Sequence, residues 1–512
     1  MKQISRLAGA VAAVVSAFLA LAVGSLVAAI TDVVSPLNAV GGEFIDHTPR
    51  WLHDWAIEQF GTNDKAVLKL GMWVTIFVFA AVLGALAVRR PWIGAVGFGV
   101  FGLVGAFVAV NRPASSAGAA IPPLIGAAVG GAVLYFIVRP RPIEIPGESR
   151  VPLGWDRRRF LVSTSVALGG AVVVSTSAKA IENRRTAELT KSAGKPLDAG
   201  TVPSGPVDTA PPVPAGAEVD PNTPFVTPND DFYRIDTALS FPRASPDSWS
   251  FDIEGMVDSP QTISYADLLG MPQVERMITI CCVSNEVGGK LVGNAVWRGV
   301  LLRDLLDIAG IQDGAEQVFS TSLDGWTSGF PVEAAIDGRD SMVAIGMNGT
   351  SLPLEHGFPA RLIVPGLYGY VSATTWLSKI ELTTWDREGY WVPRGWSQQG
   401  PIKTQSRIGF PRSRSTITPG PTKIAGVAWA QNKGVAKVEV RVDEGPWLVA
   451  DLATDVSDDA WRQWVLDWDA TPGDHVIEVQ ATDKTGYTQT AERTALAPDG
   501  ASGHHTIKIK VK

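Results

Sequence analysis

The sequence predicts three parts in order: a multi-span α-helical membrane region, an α+β domain and an all-β sandwich. Three observations lead to this prediction. Nearly all of the strongly apolar sequence precedes residue 180 in a chain of 512 residues. A segment rich in Pro, Gly, Ala and Thr then occupies residues 181–222. Short runs of alternating polar and apolar residues fill the end of the chain, and such runs are typical of antiparallel strands.

The first part, residues 1–180, contains four apolar stretches, at residues 7–30, 70–88, 92–110 and 121–138. Each is close to the roughly 20 residues that a helix needs to cross a bilayer. The Gly and Ala residues of the third and fourth stretches favour close helix packing in lipid. None of the four contains a charged residue or a histidine, which argues against a proton path or a bis-histidine haem within the bilayer. We therefore expect an anchor.

A fifth apolar stretch, residues 162–174, follows Arg157, Arg158 and Arg159. The arginines and the apolar run resemble a twin-arginine export signal that is placed inside the chain instead of at its N-terminus. The alternative interpretation is a stop-transfer helix with ordinary basic flanking residues. With this stretch, the membrane region is predicted to have about five transmembrane helices.

The distribution of Lys and Arg predicts the orientation of these helices, because cytoplasmic loops are enriched in both residues. The segment before the first helix and the loops after the second and fourth helices are the richer in Lys and Arg. They contain Lys2, Arg6, Arg89, Arg90, Arg139, Arg141, Arg157, Arg158 and Arg159. The opposite loops are poorer for their length and contain Arg50, Lys65, Lys69 and Arg112. We expect a multi-pass protein of the cell membrane, in contact with membrane lipid, whose chain after about residue 180 is extracytoplasmic.

The remainder divides into a linker and two further domains. Residues 181–222 are predicted to be an extended tether, because their composition cannot bury enough apolar surface to form a core. Residues 223–410 mix short β-like segments with a helix over 300–310, which has leucines at helical spacing and a terminal glycine. This pattern predicts an α+β domain and gives no support to a Rossmann fold. Residues 415–512 are predicted to form an antiparallel sandwich with a structural or interaction role.

Composition excludes several functional classes. A net charge of −7, with no basic face concentrated outside the membrane region, argues against nucleic acid as a partner. Two cysteines are too few for a disulfide framework or a cysteine-rich zinc site. No Cys-x-x-Cys-His sequence occurs, so no covalent haem is evident, and four iron–sulfur ligands are lacking.

The two cysteines are adjacent, as Cys281 and Cys282, and stand within Ile-Thr-Ile-Cys-Cys-Val-Ser-Asn-Glu-Val-Gly-Gly-Lys-Leu-Val-Gly-Asn-Ala-Val-Trp-Arg-Gly-Val. This string resembles the molybdenum-ligand loop of the sulfite oxidase family of molybdopterin enzymes. The resemblance implies a molybdenum–molybdopterin cofactor with one cysteinate ligand, a soft donor that suits this metal.

The family's register assigns the catalytic and metal-binding role to Cys282, because the family's ligand is separated from an asparagine, here Asn285, by two residues. In an extended segment Cys281 would point to the opposite face, as a neighbour or a buried spectator. A vicinal disulfide between the two cysteines is the remaining alternative, and it would deny the metal its ligand.

A second block, residues 347–370 continuing to 382, resembles the pterin-binding stretch of the same family. A pterin with a terminal phosphate needs a guanidinium for the anion and polar groups around its ring edge. Matching residue by residue, the resemblance assigns the anion to Arg361 and a pterin contact to His356, for which the alternative is a satisfied loop histidine. The residues that would wrap around the cofactor are Ser372, Ala373 and Thr374. Thr375 replaces a lysine that is usual in the family.

Residues 227–236 resemble the family's first cofactor contact, with Asn229, Asp230, Tyr233 and Arg234 as the candidates. An Asx-turn before a strand is an alternative explanation for Asn229 and Asp230. Farther along, Ser322 matches a contact on the metal side of the cofactor. Trp326 takes the place of a catalytic tyrosine of the family.

The resemblance implies an α+β molybdopterin-binding, sulfite oxidase-like domain followed by an immunoglobulin-like sandwich of the family's dimerisation type, which leaves a homodimer open. Sulfite oxidases carry arginines at the positions of Glu286, Val287 and Pro228, and a site without them should bind sulfite poorly. We therefore expect two-electron redox chemistry, with oxygen-atom transfer to or from a small-molecule substrate and an unknown electron carrier. The alternatives are a sulfite oxidase proper, a protein-methionine-sulfoxide reductase-like enzyme, and a non-catalytic tethered binding protein. A quinone-linked membrane region, for which His47 and His53 are the candidates, is a further alternative.

Overall fold

The structure is a computed structural model that describes residues 4–49, 52, 55, 59–60, 64–112, 115–142, 153–154, 156–197 and 205–512. Lys2, Arg50 and His53, and residues 198–204 of the predicted tether, lie outside this description. The chain divides into two compact units. The first, the helical unit, comprises residues 1–188 and 237–241. The second, the head, comprises residues 189–236 and 242–512.

The described part of the helical unit is built from long apolar helices. Five of them are long and apolar enough to cross a membrane, in agreement with the predicted number. The helices are α1 (Arg6–Thr31), α2 (Pro36–His47), α3 (Asp64–Ala87), α4 (Pro91–Asn111), α5 (Ile121–Val138, after a 3₁₀ turn at Ala117–Ala120) and α6 (Arg157–Thr190). The two-residue strands β1 (Arg141–Pro142) and β2 (Leu153–Gly154) pair between α5 and α6.

Glycines bring α1, α3 and α5 into backbone contact. A Cβ atom on Gly84 would lie 2.1 Å from the carbonyl oxygen of Gly9, and one on Gly126 would lie 2.4 Å from that of Ala20. No larger residue fits at these crossings, because backbone lies directly opposite. A Cβ atom on Gly102 of α4 would lie 2.5 Å from that of Ala127 of α5. The close packing expected of the third and fourth stretches is therefore present, and it extends to α1 and α3.

The predicted tether differs from the structure at both ends. Helix α6 continues to Thr190, past the predicted linker start at 181, because Glu182, Arg185 and their neighbours are good helix formers. Residues 205–222 are not free of the head. Val207 and Asp208 form strand β3 (Val207–Asp208), which pairs in parallel with the strand that ends at Cys281.

The α+β part of the head contains two sheets. The first has the strand order β11-β10-β7-β6-β3, with β12 also paired to β10, and the second has the order β5-β4-β13-β8-β9. The strands are β4 (Ser250–Gly255), β5 (Gln261–Ser264), β6 (Gln273–Cys281), β7 (Val292–Leu301), β8 (Gln317–Ser322), β9 (Thr327–Pro331), β10 (Met342–Met347), β11 (Thr350–Ser351), β12 (Arg361–Ile363) and β13 (Leu377–Thr383).

Short helices connect these strands. The predicted helix over 300–310 is confirmed as α8, whose leucines are buried and which ends at Gly310 with φ +71°. An N-terminal capping box between Ser264 and Asp267 begins α7. The helices are α7 (Tyr265–Gly270), α8 (Leu302–Ala309), α9 (Glu333–Ile336) and α10 (Gly369–Ser372), with 3₁₀ turns at Asn229–Asp231 and Leu354–His356.

The C-terminal part is a sandwich of two sheets that share one core, which includes Ile424, Val438, Trp464 and Ile507. The sheet orders are β14-β16-β20-β19 and β15-β22-β21-β17-β18. The strands are β14 (Gln405–Phe410), β15 (Thr416–Ile417), β16 (Gly420–Trp429), β17 (Val435–Val442), β18 (Leu448–Val449), β19 (Asp451–Leu452), β20 (Arg462–Ala470), β21 (Gly473–Asp483) and β22 (His505–Val511).

The boundary between the two parts of the head lies before the predicted one. Strand β14 was expected within the domain 223–410, but it pairs antiparallel with β16 and so belongs to the sandwich. Alternation along a strand indicates which residues face a core but does not indicate which sheet the strand joins.

Gln463 of the sandwich holds the segment that precedes the α+β part. Its buried Oε1 accepts from the backbone nitrogens of Val219 and Asp220 at 2.6 and 2.8 Å, and its Nε2 donates to the carbonyl oxygen of Thr223 at 2.7 Å.

We expect Gln463→Ala to lower the free energy of unfolding by about 2–4 kcal/mol, because it leaves these backbone groups without partners. Thermal and urea unfolding of the full chain in detergent, with non-specific proteolysis of residues 205–222, measures the effect. The control is Gln480→Ala, which removes one side-chain hydrogen bond to Glu439. Equal losses in both variants would contradict the role given to Gln463.

Candidate active site

The adjacent cysteines lie where β6 ends and a tight turn begins. Backbone hydrogen bonds join the nitrogen of Cys282 to the oxygen of Leu291 at 2.9 Å and the nitrogen of Asn285 to the oxygen of Cys282 at 3.0 Å. The side-chain oxygen of Asn285 accepts from the nitrogen of Leu291 at 2.8 Å. Gly288 takes φ +80°, which an L side chain rarely adopts. We refer to residues 282–291 as the cysteine turn.

The two thiols differ in their surroundings. Both cysteines are free and buried, so the vicinal disulfide is not formed here. Cys281 belongs to the hydrophobic core, and its Sγ lies 3.4 Å from the carbonyl oxygen of Cys282. Burial raises the pKa of both thiols, and hydrogen bonds from Ser284 partly offset this rise for Cys282. The charge of Arg407 partly offsets the rise for Cys281. Hydrogen bonding to the charged form favours ionisation of Cys282, and the choice of Cys282 as the ligand stays a prediction.

His356 is held by the backbone of Asn229. Its Nε2 donates to the carbonyl oxygen of Asn229 at 2.9 Å, and Asn348 Nδ2 donates to the side-chain oxygen of Asn229 at 2.7 Å. Burial and the nearby charges of Arg361 and Arg234 lower the pKa of His356, against the raising effect of its hydrogen bond. The imidazole is therefore neutral at pH 7 and acts as a hydrogen-bond group.

Arg361 is a buried cation at the centre of this region. Its guanidinium donates to the carbonyl oxygens of His356 at 3.1 Å and Ala373 at 3.2 Å, and it lies 5.1 Å from the ring centroid of Trp297. Its Nε is buried without a hydrogen-bond partner. Burial lowers its pKa to about 10, so the group stays charged at neutral pH. In the described part of the chain no carboxylate pairs with it, which suits a site for an anion.

Tyr233 connects the cysteine turn with Arg361. Burial raises the pKa of its phenol, the charges of Cys282 and Cys281 raise it further, and the charge of Arg361 lowers it. The phenol thus lies within electrostatic reach of groups from two distant segments of the chain. Its ring stacks on Phe232 with 5.4 Å between centroids. A Cβ atom on Gly369 would lie 3.8 Å from the carbonyl oxygen of Cys281 and 3.9 Å from the phenol oxygen of Tyr233, so predicted residues from three segments meet in one region.

Other predicted residues are engaged elsewhere or exposed. Asp230 and Arg234 are exposed, and Arg234 pairs with Asp236 at 2.9 Å. Ser372 donates to backbone oxygens of its own turn. Thr374 belongs to a buried hydroxyl cluster with Ser320 and Ser328, at oxygen distances of 2.7 and 2.8 Å.

Ser322 and Trp326 lie at the turn between β8 and β9. Their backbones hydrogen bond to each other at 2.8 Å, and Trp326 donates its backbone N–H to Asp324 at 3.1 Å. Within the described residues, neither is joined to Cys282 by a hydrogen bond or a ring contact. Their predicted roles therefore remain predictions.

Several residues that contact the candidate site residues were not identified from the sequence. Trp297, which supports the guanidinium of Arg361, and Phe232, which contacts His356 at 5.8 Å between ring centroids, received no role. Asn348 was also missed, although an Asn-Gly pair beside a strand predicts a turn whose asparagine tolerates positive φ, here +50°. Trp297 gave no local signal, because alternation along β7 predicts only that it is buried.

The sandwich, for which we expect a structural or interaction role, also contacts this region, because the ring of His505 lies against Gly288 of the cysteine turn. His505 accepts at Nδ1 from the backbone nitrogen of Ile408 at 3.0 Å. Burial, followed by the charges of Arg407 and Arg493, lowers its pKa to about 4. His505 is therefore neutral in the folded chain at neutral pH.

This pKa predicts a loss of stability in acid. Because the pKa in the folded state is below the unfolded value of about 6.5, the contribution is complete above pH 6.5 and is lost as the pH falls towards 4, by about 3 kcal/mol. We expect His505→Gln to flatten the pH dependence of unfolding over this interval. Urea unfolding of both chains from pH 7 to 4 measures it, and parallel curves would contradict the assignment.

Comparison with known proteins places this region in a family. Residues 238–391 match the oxidoreductase molybdopterin binding domain. The chain is 28% identical to the sulfite oxidase of Gallus gallus over 292 residues, which is 47% of this chain and 63% of that protein. It is 34% identical to the uncharacterized oxidoreductase YuiH of Bacillus subtilis over 152 residues, 30% of this chain and 74% of that one.

The described fold also resembles a solved structure. The sulfane dehydrogenase SoxCD of Paracoccus pantotrophus aligns with a TM-score of 0.50 at 21% identity, over 63% of this chain and 89% of that chain. This likeness concerns the fold alone. The chain spans 63% of the chicken sulfite oxidase and 53% of the mitochondrial sulfite oxidase of Homo sapiens.

Proposed function

The chain belongs to the sulfite oxidase family of molybdopterin oxidoreductases, and on that premise we propose that Cys282 is the ligand of a molybdenum–molybdopterin cofactor held in the head. The observation that carries this proposal is the meeting of the cysteine segment, Tyr233 and the segment of the buried cation Arg361: a Cβ atom on Gly369 would lie 3.8 Å from the carbonyl oxygen of Cys281 and 3.9 Å from the phenol oxygen of Tyr233. These groups come from three separate segments of the chain.

The residues present fit such a cofactor. A thiol that ionises is a soft ligand for molybdenum, and Cys282 offers one at the end of a strand. Arg361 Nε and Asn285 Nδ2 are both buried without hydrogen-bond partners. Buried polar groups of this kind are normally satisfied, so a bound group with acceptor oxygens accounts for them. The cofactor, when bound, supplies two-electron redox chemistry.

The protein's own side chains would position the cofactor and neutralise the charge of its phosphate. Arg361 would bind the terminal phosphate, held in place by the carbonyl oxygens of His356 and Ala373. His356 would remain neutral and order the segment of Asn229. The raised pKa of Tyr233 keeps its phenol protonated, so it can donate a hydrogen bond to an oxygen of the substrate. Ser322, Trp326, Asp230, Arg234, Ser372 and Thr374 are proposed contacts with less support from the geometry.

The substrate is proposed to be a small molecule that gains or loses one oxygen atom. Glu286 and Val287 in the cysteine turn supply no cation for a dianion such as sulfite, and Glu286 would repel it. A neutral oxo-substrate such as a sulfoxide fits this turn better. Sulfite oxidation is the second candidate, and it is favoured by the relatives named sulfite oxidase.

We expect Cys282→Ser to lose bound molybdenum and to lower turnover by about a hundredfold or more, because the metal loses its protein ligand. Cys281→Ser is the matched control and should largely retain both. Molybdenum content and turnover, assayed with sulfite oxidation and with sulfoxide reduction, are measured on the full chain from a host that makes molybdopterin. The reverse pattern would place the ligand at Cys281. A metal-free parent chain would instead support a non-catalytic tethered protein.

We further propose that the five apolar helices cross the cell membrane and that the head is extracytoplasmic. Support comes from helix lengths of 21–33 residues at mean hydropathies of 1.6–2.5 and from the Lys and Arg distribution. The arginines 157–159 begin α6, as a twin-arginine signal before its apolar run would. An immunoglobulin-like sandwich and a homodimer formed through it are part of the same proposal. The electron carrier would then act outside the cytoplasm.

Conservative replacement of the arginine pair tests the export proposal. We expect Arg157→Lys with Arg158→Lys to keep the charge but to abolish export, because the export machinery requires the arginine pair. Protease added to spheroplasts should then no longer cleave the head. The control is Arg89→Lys with Arg90→Lys, a pair before another predicted span. Unchanged cleavage of the first double variant would defeat the assignment.

A further inference from the structure

The sandwich contacts the glycine-rich half of the cysteine turn. Arg407 Nη1 donates to the carbonyl oxygen of Gly289 at 2.9 Å. The ring of His505 lies against Gly288, where a Cβ atom would fall 2.1 Å from the ring Cδ2 and 2.3 Å from Nε2. Both side chains belong to strands of the sandwich, β14 and β22, and neither belongs to the α+β part.

These two side chains are themselves fixed within the sandwich. The hydrogen bond from the backbone nitrogen of Ile408 to Nδ1 orients the His505 ring, with Nε2 carrying the proton. The guanidinium of Arg407 lies 6.0 Å from the ring centroid of Trp461. The ring of His505 is therefore oriented by the sandwich itself, independently of its contact with the turn.

The sandwich also binds the strand that enters the turn. The backbone nitrogen of Thr279 donates to the carbonyl oxygen of Asp459 at 2.9 Å. The backbone carbonyl oxygen of Thr279 accepts from Gln431 Nε2 at 2.9 Å. Thr279 precedes Cys282 by three residues, and Gly288 follows it by six. The sandwich thus contacts the chain both before and after Cys282.

We infer that Arg407 and His505 are positioning residues, which hold the glycine-rich half of the cysteine turn so that the Cys282 thiol is presented in one place. Gly288 and Gly289 are the residues with the greatest backbone freedom, so the turn needs a restraint from outside itself. The inference rests on the proposed function for the meaning of that thiol, but the contacts that carry it do not depend on a cofactor.

The test measures the reactivity of Cys282 in the full chain, made without cofactor in a host that lacks molybdopterin synthesis. A Cys281→Ser background leaves one thiol to report. We expect Arg407→Ala and His505→Ala each to raise the rate of alkylation by iodoacetamide about tenfold, the scale of local opening when one charge-assisted or buried contact is lost. In chains made with cofactor, both variants should hold about a tenth of the parent's molybdenum.

Matched variants of the same sandwich serve as controls. Arg441 lies 4.7 Å from the ring centroid of Trp447, and His475 pairs with Asp443 at 2.6 Å. Arg441→Ala and His475→Ala should therefore leave the alkylation rate unchanged. Val440→Ala lowers the stability of the sandwich core without touching the turn and should also leave it unchanged.

A conservative variant separates positioning from simple folding. His505→Asn keeps an acceptor for the nitrogen of Ile408 but removes the ring edge from Gly288, so the faster alkylation should persist. Rates for Arg407→Ala and His505→Ala equal to those of the controls would overturn the inference, as would an equal rise in Val440→Ala or full restoration by His505→Asn. A parent chain without molybdenum would refute the proposed function, while the alkylation rates would still decide the positioning role.

Discussion

The buried pair of Thr279 and Asn294 is the constraint on which the candidate site depends. These residues face each other across β6 and β7, with 2.9 Å between their side-chain oxygens. Asn294 Nδ2 donates to the carbonyl oxygen of Phe225, and Thr279 Oγ1 accepts from the nitrogen of Trp461. One satisfied polar pair thus joins the segment that leads to Tyr233, the cysteine strand and the sandwich, and in a low-dielectric interior such a network permits few alternative arrangements.

The electrostatics of the region follow from this fixed arrangement. Arg361 is removed from water beside Trp297, and its charge is met by carbonyl dipoles instead of a carboxylate. Burying a cation in this way costs free energy that an anionic ligand can recover. The charge of Arg361 lowers the pKa of the Tyr233 phenol, and the charge of Cys282 raises it. A ligand that carries both an anion and sulfur donors would therefore satisfy the two ends of the region together.

Much of this site is predictable from local sequence, and the rest depends on distant pairing. Cys282, His356 and Arg361 lie within two blocks whose motifs are continuous in the chain, and α8 followed from leucine spacing and one glycine. Arg407 and His505 follow the cysteine turn by more than a hundred residues, and alternation along their strands indicates only which face is buried. The partner of β14 and the parallel pairing of β3 are decided by tertiary packing, which no local pattern encodes.

A glycine-rich turn explains why the head needs a sandwich near its cysteine. The turn must pass close to other groups, and glycine permits this, but glycine also loses the most conformational freedom on folding. The first restraint is internal, because the side-chain oxygen of Asn285 accepts a hydrogen bond from the backbone nitrogen of Leu291 across the turn. The second restraint is external, from Arg407 and from the ring of His505. A thiol in such a turn is ordered only when both parts of the head are folded, so the C-terminal sandwich is a component of the site and not merely an appendage.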